Sequence, residues 1–273
     1  MRILISNDDG VFAPGLGTLA RALAATGEHE VYVVAPDRQR SATGHSVTLH
    51  KPLRVEAVDL AGNLAGNHNG GIKAAWSTTG TPSDCVKLAV KQLLPQPPDV
   101  IISGINSGPN LGSDVLYSGT VAAAMEGAFS GFPSIAVSAQ KNNQLAFDLA
   151  AEFIIDFLRV LPKAPMPNRG LFNVNVPACP IEQLKGVRVT ELGKRQYKDI
   201  FERRHDPNGR DYYWLSGCAI EEGESELSDV WALANGYITI SPVSFNMTDQ
   251  NTLAKLNEMM TVNEFSHHVR SGK

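Results

Sequence analysis

An α/β fold, with a parallel sheet covered by helices on both faces and a C-terminal β-hairpin arm, is predicted by three features of the sequence. Short apolar runs rich in β-branched residues alternate with helical patterns through the first 161 residues. These runs are apolar at every position rather than at alternate ones, as in strands buried on both faces. Beyond Pro162 the rhythm changes to charged and aromatic segments separated by strong turn signals.

Arg2–Ser6 (RILIS) reads as the first strand, and residues 16–25 as a helix with Leu16, Leu19, Ala20 and Leu23 on one face. Residues 31–35 (VYVVA) form the next strand, stopped by Pro36. A helix follows over 83–94, with Ser83 or Asp84 available to cap it. Residues 100–103 are a strand, 121–129 a helix, 134–138 a strand and 145–161 a long amphipathic helix ended by Pro162. Further strands are expected at 171–176 and 187–190. The segment 195–213 is charged and aromatic and contains the turn Asp206-Pro207-Asn208-Gly209. Residues 214–241 read as strand segments around an acidic loop at 221–229, and 252–260 as a returning helix. The expected organisation is therefore a catalytic core over 1–190, a β-hairpin arm over 191–245, and a C-terminal helix and tail over 246–273. Residues 61–71, rich in Gly and Asn, read as a mobile surface loop.

A chain of 273 residues, 43% hydrophobic, buries a large core without disulfides or a structural metal. Cys85, Cys179 and Cys218 are scattered and never spaced Cys-x-x-Cys, which suits free thiols in a reducing compartment. The apolar run Ile3–Ile5 is too short for a signal peptide or membrane span, so a soluble, cytoplasmic chain without membrane contact is expected. A net charge of −4 argues against binding polymeric nucleic acid, which calls for a basic excess. It leaves open a small phosphorylated substrate, which needs only local positive charge or a metal.

Open parallel sheets bind ligands beyond the carboxyl ends of their strands. Asn7-Asp8-Asp9-Gly10 follows the first strand directly. Adjacent carboxylates there repel one another unless a cation or protons neutralise them, and hard oxygen donors point to Mg²⁺ or Mn²⁺. Taken alone, Asp-Asp-Gly is equally an ordinary turn. Two further strand ends add to it. The segment Pro36–Ser41 brings Ser41 within range of the same crevice, and Gly104–Asn110 offers Asn106 as a neutral metal ligand, although an Asn in a left-handed turn explains that residue as well. Asn106, Ser107 and Gly108 of that loop are candidates for contact with a substrate phosphate. Ser118, Gly119 and Thr120 immediately precede the helical run beginning at Val121, where backbone N–H groups and the helix dipole favour an anion. Ser118 or Thr120 also suits ordinary N-capping. Metal and anion sites converging on one sheet edge suggest phosphate-ester hydrolysis, with Asp8 and Asp9 the catalytic pair and Asp8 orienting the attacking water. His45, near the metal loop, is placed to protonate a leaving group but reads first as a surface or capping histidine; His267 and His268 receive no role, and the basic residues Arg203, Arg204, His205 and Arg210 read as a solvated face within reach of an acidic substrate.

Six segments resemble the SurE (survival protein E) family of 5'/3'-nucleotidases. They are Ser6-Asn7-Asp8-Asp9-Gly10-Val11 with Ala13-Pro14-Gly15; Ala35-Pro36-Asp37-Arg38 through Ser41; Gly80-Thr81-Pro82-Ser83-Asp84-Cys85-Val86; Ser103-Gly104-Ile105-Asn106 through Gly112; Tyr117 through Glu126; and Asn235 through Pro242. The resemblance spans nearly the whole chain. It implies a Rossmann-like core and hydrolysis of nucleoside 5'- and 3'-monophosphates to nucleoside and phosphate. It also implies one divalent cation per subunit (Mg²⁺ or Mn²⁺), held by Asp8, Asp9, Ser41 and Asn106, with Ser118, Gly119 and Thr120 as the anion-binding turn. Swapped arms that build a homodimer or homotetramer are implied too. The Gly/Asn-rich segment before Trp76 is longer than the family pattern, which bears on substrate preference.

Rival readings fit less well. A receiver domain needs a phosphoacceptor aspartate after its third strand, where Ser103 and Asn106 stand. A haloacid-dehalogenase-type phosphatase needs Asp-x-Asp after the first strand, which Asn7-Asp8-Asp9 does not supply. A non-catalytic nucleotide-binding module has no need of two adjacent carboxylates.

Overall fold

The structure is a computed structural model that describes residues 1–60, 71–140, 143–167, 170–220 and 224–261. The expected loop at 61–71, apart from Gly71, and His267 and His268 lie outside the described residues.

Eleven strands and six α-helices follow in the order β1 (Arg2–Ser6), α1 (Pro14–Ala25), β2 (Glu30–Pro36), β3 (Val55–Ala57), β4 (Ile72–Thr78), α2 (Pro82–Leu88), β5 (Val100–Ser107), α3 (Gly119–Phe129), β6 (Ser134–Ala139), α4 (Gln144–Val160), β7 (Gly170–Val176), β8 (Val187–Val189), β9 (Gln196–His205), β10 (Asp211–Ile220), α5 (Asp229–Ala234), β11 (Ile238–Ser244) and α6 (Gln250–Thr261). Among the described residues nine strands form one sheet in the order β3-β4-β2-β1-β5-β6-β7-β11-β8, while β9 and β10 pair with each other as a separate two-stranded sheet. The expected α/β architecture with an added hairpin is observed.

The apolar strand runs are buried because helices cover both sides. Ile3, Ile5, Val31, Val33, Val100 and Ile102 pack with Leu16, Leu19 and Leu23 of α1 and Phe147, Ile154 and Leu158 of α4. Leu4, Val34 and Ile101, the intervening residues, pack against Cys85 and Val86 of α2 and Ala123 of α3. Alternate side chains of a strand point to opposite faces, so each run needs both helix layers. Each fully buried leucine or isoleucine contributes about 1.5–3 kcal/mol.

The sheet is mixed rather than wholly parallel. β3 runs antiparallel to β4, and β11 antiparallel to β7. Several expectations need correction. The stretch 214–241, read as strand segments around an acidic loop, contains a helix, α5, just after that loop, whose cap is Ser228; the Ser228 Oγ accepts the Trp231 N–H at 3.2 Å. The hairpin also ends at Ile220, so β11, placed in the 191–245 arm by sequence, belongs to the core sheet between β7 and β8. In α2 the cap is Thr81, ahead of Ser83 and Asp84, and Asp84 completes a reciprocal capping box with it. The helix α6 is exposed along its described length instead of returning to the core.

Chain order places the site. From β1 the chain lays β2 on one side, crosses to the edge strand β3 and comes back to place β4 between β3 and β2. It then returns to put β5 on the other side of β1 and continues through β6 and β7. The reversal between β1 and β5 leaves a crevice at their carboxyl ends. Asp8 and Asp9 follow β1 there, and Asn106 and Ser107 end β5.

Candidate active site

The turn after β1 is held by its own asparagine. Asn7 Nδ2 donates to the Gly10 carbonyl at 2.9 Å, and the Gly10 N–H donates back to Asn7 Oδ1 at 3.2 Å. Gly10 has φ +105°, a conformation that a side chain would strain. The turn is stitched to the β2 exit loop, since Val11 N–H donates to the Pro36 carbonyl at 2.8 Å and Arg40 N–H to the Asp8 carbonyl at 2.7 Å. Two strand-end loops are thereby locked in register, with Asp8, Asp9 and Ser41 on them.

Asp8 is 5% exposed and faces the first turn of α3. The Thr120 hydroxyl donates to Asp8 Oδ1 in a short hydrogen bond. The approach is close enough to require glycine at 119, where an added Cβ would lie 2.7 Å from the Asp8 Cβ. Burial pushes the Asp8 carboxyl up to about 6, opposed by the Thr120 hydroxyl and assisted by the neighbouring Asp9 charge. Asp9 accepts the Ser107 N–H at 3.1 Å and the Gln39 amide at 3.4 Å, and burial raises its carboxyl as well. Between β5 and β6 the register shifts from Ser103 to Asn106, an irregularity of the kind that re-aims a strand-end side chain. Asn106 Nδ2 donates to the Gly108 carbonyl at 2.7 Å, and its Oδ1 has no hydrogen-bond donor among the described residues.

Asp8, Asp9, Ser41, Asn106, Ser107 and Ser118 line one crevice of about 840 Å³. Gly119 and Thr120 stand behind Asp8, and Gly108 anchors the β5 loop by donating its N–H to the Ala139 carbonyl at 2.9 Å. Thr120 is fully buried with its hydroxyl on Asp8, so what the turn can offer an anion is backbone N–H and dipole rather than that hydroxyl. Ser118 caps α3, its Oγ accepting the Val121 N–H at 3.1 Å.

Several contributors were not evident from sequence. Gln39 reaches Asp9, and Tyr197, Leu215, Ser216 and Gly217 of the hairpin line the crevice of their own chain. The hairpin is fastened to the crevice rim by the Tyr197 hydroxyl, which donates to Asp114 at 2.6 Å, and by Arg195, 3.0 Å from the same carboxylate. Behind the β5 loop lies a buried amide cluster. Asn110 N–H donates to Asn175 Oδ1 at 2.8 Å, Asn110 Nδ2 to Ser138 Oγ at 2.8 Å, and Asn173 Nδ2 to the Asn110 carbonyl at 2.8 Å. Two asparagines alternating with valine and phenylalanine in a fully buried strand were the available signal. His45 is not a bare surface residue; its Nε2 lies 3.0 Å from Glu126 Oε2.

The donor set suits a hard divalent cation: two adjacent carboxylates, both raised chiefly by burial, a serine hydroxyl, and an amide oxygen without a protein donor among the described residues. No cluster of three or more His, Cys, Asp or Glu occurs among the described residues.

Asp8 carries a pH signature. Its folded pKa lies above the usual carboxylate value, so between about pH 4 and 6 the metal-free native chain keeps a proton that the unfolded chain has released. The stability associated with that proton is whole below about pH 4 and lost as pH rises through about 6, a change of about 3 kcal/mol. Urea unfolding of the chelated protein across this window is expected to show the decline, and Asp8→Asn to flatten it. An unchanged slope in Asp8→Asn would contradict the assignment.

Comparison with known proteins follows the same lines. A sequence model of the family described as survival protein SurE matches residues 3–199. The chain is 48% identical over 265 residues to a protein named 5'-nucleotidase SurE from Synechococcus elongatus, covering 95% of this chain and 99% of that one. It is 53% identical over 248 residues to a protein of the same name from Gloeobacter violaceus, covering 91% of each. Among solved structures, the crystal structure of SurE protein from Aquifex aeolicus superposes with a TM-score of 0.79 at 36% identity, covering 95% of this chain and all of that one. No helix among the described residues is long and apolar enough to cross a membrane.

Proposed function

Because the chain belongs to the SurE family, we propose that it is a metal-dependent phosphomonoesterase that hydrolyses nucleoside 5'- and 3'-monophosphates to nucleoside and phosphate. The name borne by its relatives, 5'-nucleotidase SurE, supports the 5' activity. The observation that carries the reading is the Asp8–Asp9 pair, set at the sheet's switch point against the N-terminus of α3 and inside the crevice that Ser41 and Asn106 also line.

In this reading one Mg²⁺ or Mn²⁺ per subunit is held by Asp8, Asp9, Ser41 and Asn106. Bound there, a hard divalent cation supplies Lewis-acid stabilisation of charge on a phosphoryl oxygen. The rest falls to the chain. The phosphate lies among Asn106, Ser107, Gly108 and the Ser118–Thr120 turn, where the α3 dipole favours its charge. Thr120 fixes the rotamer of Asp8 through Oδ1 and leaves Oδ2 free to orient water and take its proton. The water oxygen bonds to phosphorus as the ester P–O bond breaks, and the nucleoside oxygen leaves and is protonated. Release of phosphate from a panel of nucleoside 5'- and 3'-monophosphates, with glycerol phosphate as the non-nucleotide control, tests the substrate class. Equal rates on all three would remove the nucleotide assignment.

The assembly we propose is a homodimer or homotetramer through exchanged hairpins. The β9–β10 hairpin stands outside the main sheet and exposes Phe201, Tyr213, Trp214 and Leu215, each more than half exposed in one chain. A two-stranded hairpin is marginally stable alone, and exchange between identical chains is a low-cost way to cover it. Light scattering of the intact chain and of one lacking 196–220 is expected to give an oligomer and a smaller species respectively. A monomeric intact chain would contradict the exchange.

A further inference from the structure

Glu126 lies on α3 seven residues beyond Gly119, close to two full turns along the same face. Its residue is 5% exposed, and a carboxylate so buried requires partners. It has two. Lys87 of α2 donates from Nζ to Oε1 at 2.7 Å, and His45 lies 3.0 Å from Oε2 through Nε2. These two partners hold Glu126 below the usual carboxylate range, the His45 hydrogen bond most of all. The His45 ring also stacks on Phe129 of the same helix, with centroids 5.5 Å apart.

Lys87 braces one helix against another, but His45 belongs to neither helix nor strand. It stands in the irregular, largely exposed segment between β2 and β3 that carries Ser41. Upstream of Ser41 that segment is fixed by the Arg40 N–H donating to the Asp8 carbonyl at 2.7 Å. Downstream, the Gly44 N–H donates to the Tyr117 carbonyl at 3.1 Å, and the next residue is His45. Ser41 thus lies between two anchorages, the Asp8 backbone on one side and, on the other, Tyr117 ahead of α3 with Glu126 of α3.

We propose that Glu126 is a positioning residue for Ser41, acting through His45 to keep the Ser41 hydroxyl in the crevice as a metal ligand. One helix then sets two ligands, Asp8 at its first turn and Ser41 two turns on. The proposal rests on the reading of Ser41 as a ligand. Partners that orient a metal ligand are commonly worth about 10-fold or more in metal affinity.

Titration calorimetry of the chelated full-length protein with Mn²⁺ tests it. Glu126→Gln strikes the fold as well as the loop, because it takes an ionic partner from Lys87, so His45→Ala is the primary variant. His45→Ala is expected to weaken Mn²⁺ binding about 10-fold, while Lys87→Met, which leaves the His45 contact in place, stays within about twofold of the unsubstituted chain. In a Ser41→Ala background, His45→Ala is expected to add nothing further. Unchanged Mn²⁺ affinity in His45→Ala, or a full additional loss on top of Ser41→Ala, would overturn the positioning role. Unchanged affinity in Ser41→Ala alone would instead overturn Ser41 as a ligand, and the proposal with it.

Discussion

Replacing Asp9 with asparagine is expected to lower kcat/KM for a nucleoside monophosphate by on the order of 10²–10³-fold or more. The side chain keeps its size, so packing is preserved, but a charge is removed from the cation site. Of the two carboxylates, Asp9 is the more open, and its raised pKa comes chiefly from burial. In the native chain it accepts the Ser107 N–H, a bond that the asparagine carbonyl can keep, so the β5 loop stays in place. The loss should therefore appear as weaker metal binding and slower turnover with an unchanged far-ultraviolet spectrum. Steady-state kinetics across a metal titration checks it. Near-normal kcat/KM at ordinary metal concentration would remove Asp9 from the ligand set.

Gly119→Ala is expected to cost about 100-fold in kcat/KM without a matching loss of stability. An added Cβ would lie 2.7 Å from the Asp8 Cβ and 3.0 Å from its Oδ2. The nearer atom is tied to the backbone after β1, so relief must come from moving Asp8 or the start of α3. A displacement of about 1 Å in a reacting group costs on the order of 10²-fold. Kinetics and thermal unfolding read side by side separate the two effects. Activity that falls only in step with stability would mean that the approach of α3 to Asp8 has no catalytic importance.

The strands β1, β2, β5 and β6 were legible because burial on both faces leaves continuous β-branched runs. β4 was not, because Lys73 is exposed and Ala74 half-buried, and the run Ile72–Thr78 becomes a strand through its pairing with β2. The sequence marks strand segments up to Ser241, but that β11 lies between β7 and β8 is set by pairings such as Thr239 with Asn175 and Ile238 with Val187, far apart in the chain, which periodicity does not encode. The site shows the same division. Asp8, Asp9, Ser41 and Asn106 each sit at a strand end, and the rule for open sheets gathers them without coordinates. Thr120 read as a cap or an anion contact; that its hydroxyl meets Asp8, 112 residues away, depends on where α3 packs. The contact between His45 and Glu126, 81 residues apart, has no local signature at all.

The central claim is that this crevice hydrolyses nucleoside monophosphates with a divalent cation on Asp8 and Asp9. Its most direct test is phosphate release from a nucleoside 5'-monophosphate by chelator-treated protein, before and after Mn²⁺ or Mg²⁺ is returned. The account predicts negligible release without metal and recovery on addition, with no recovery in Asp9→Asn at the same metal concentration. Full activity in the chelated, metal-free protein would contradict it.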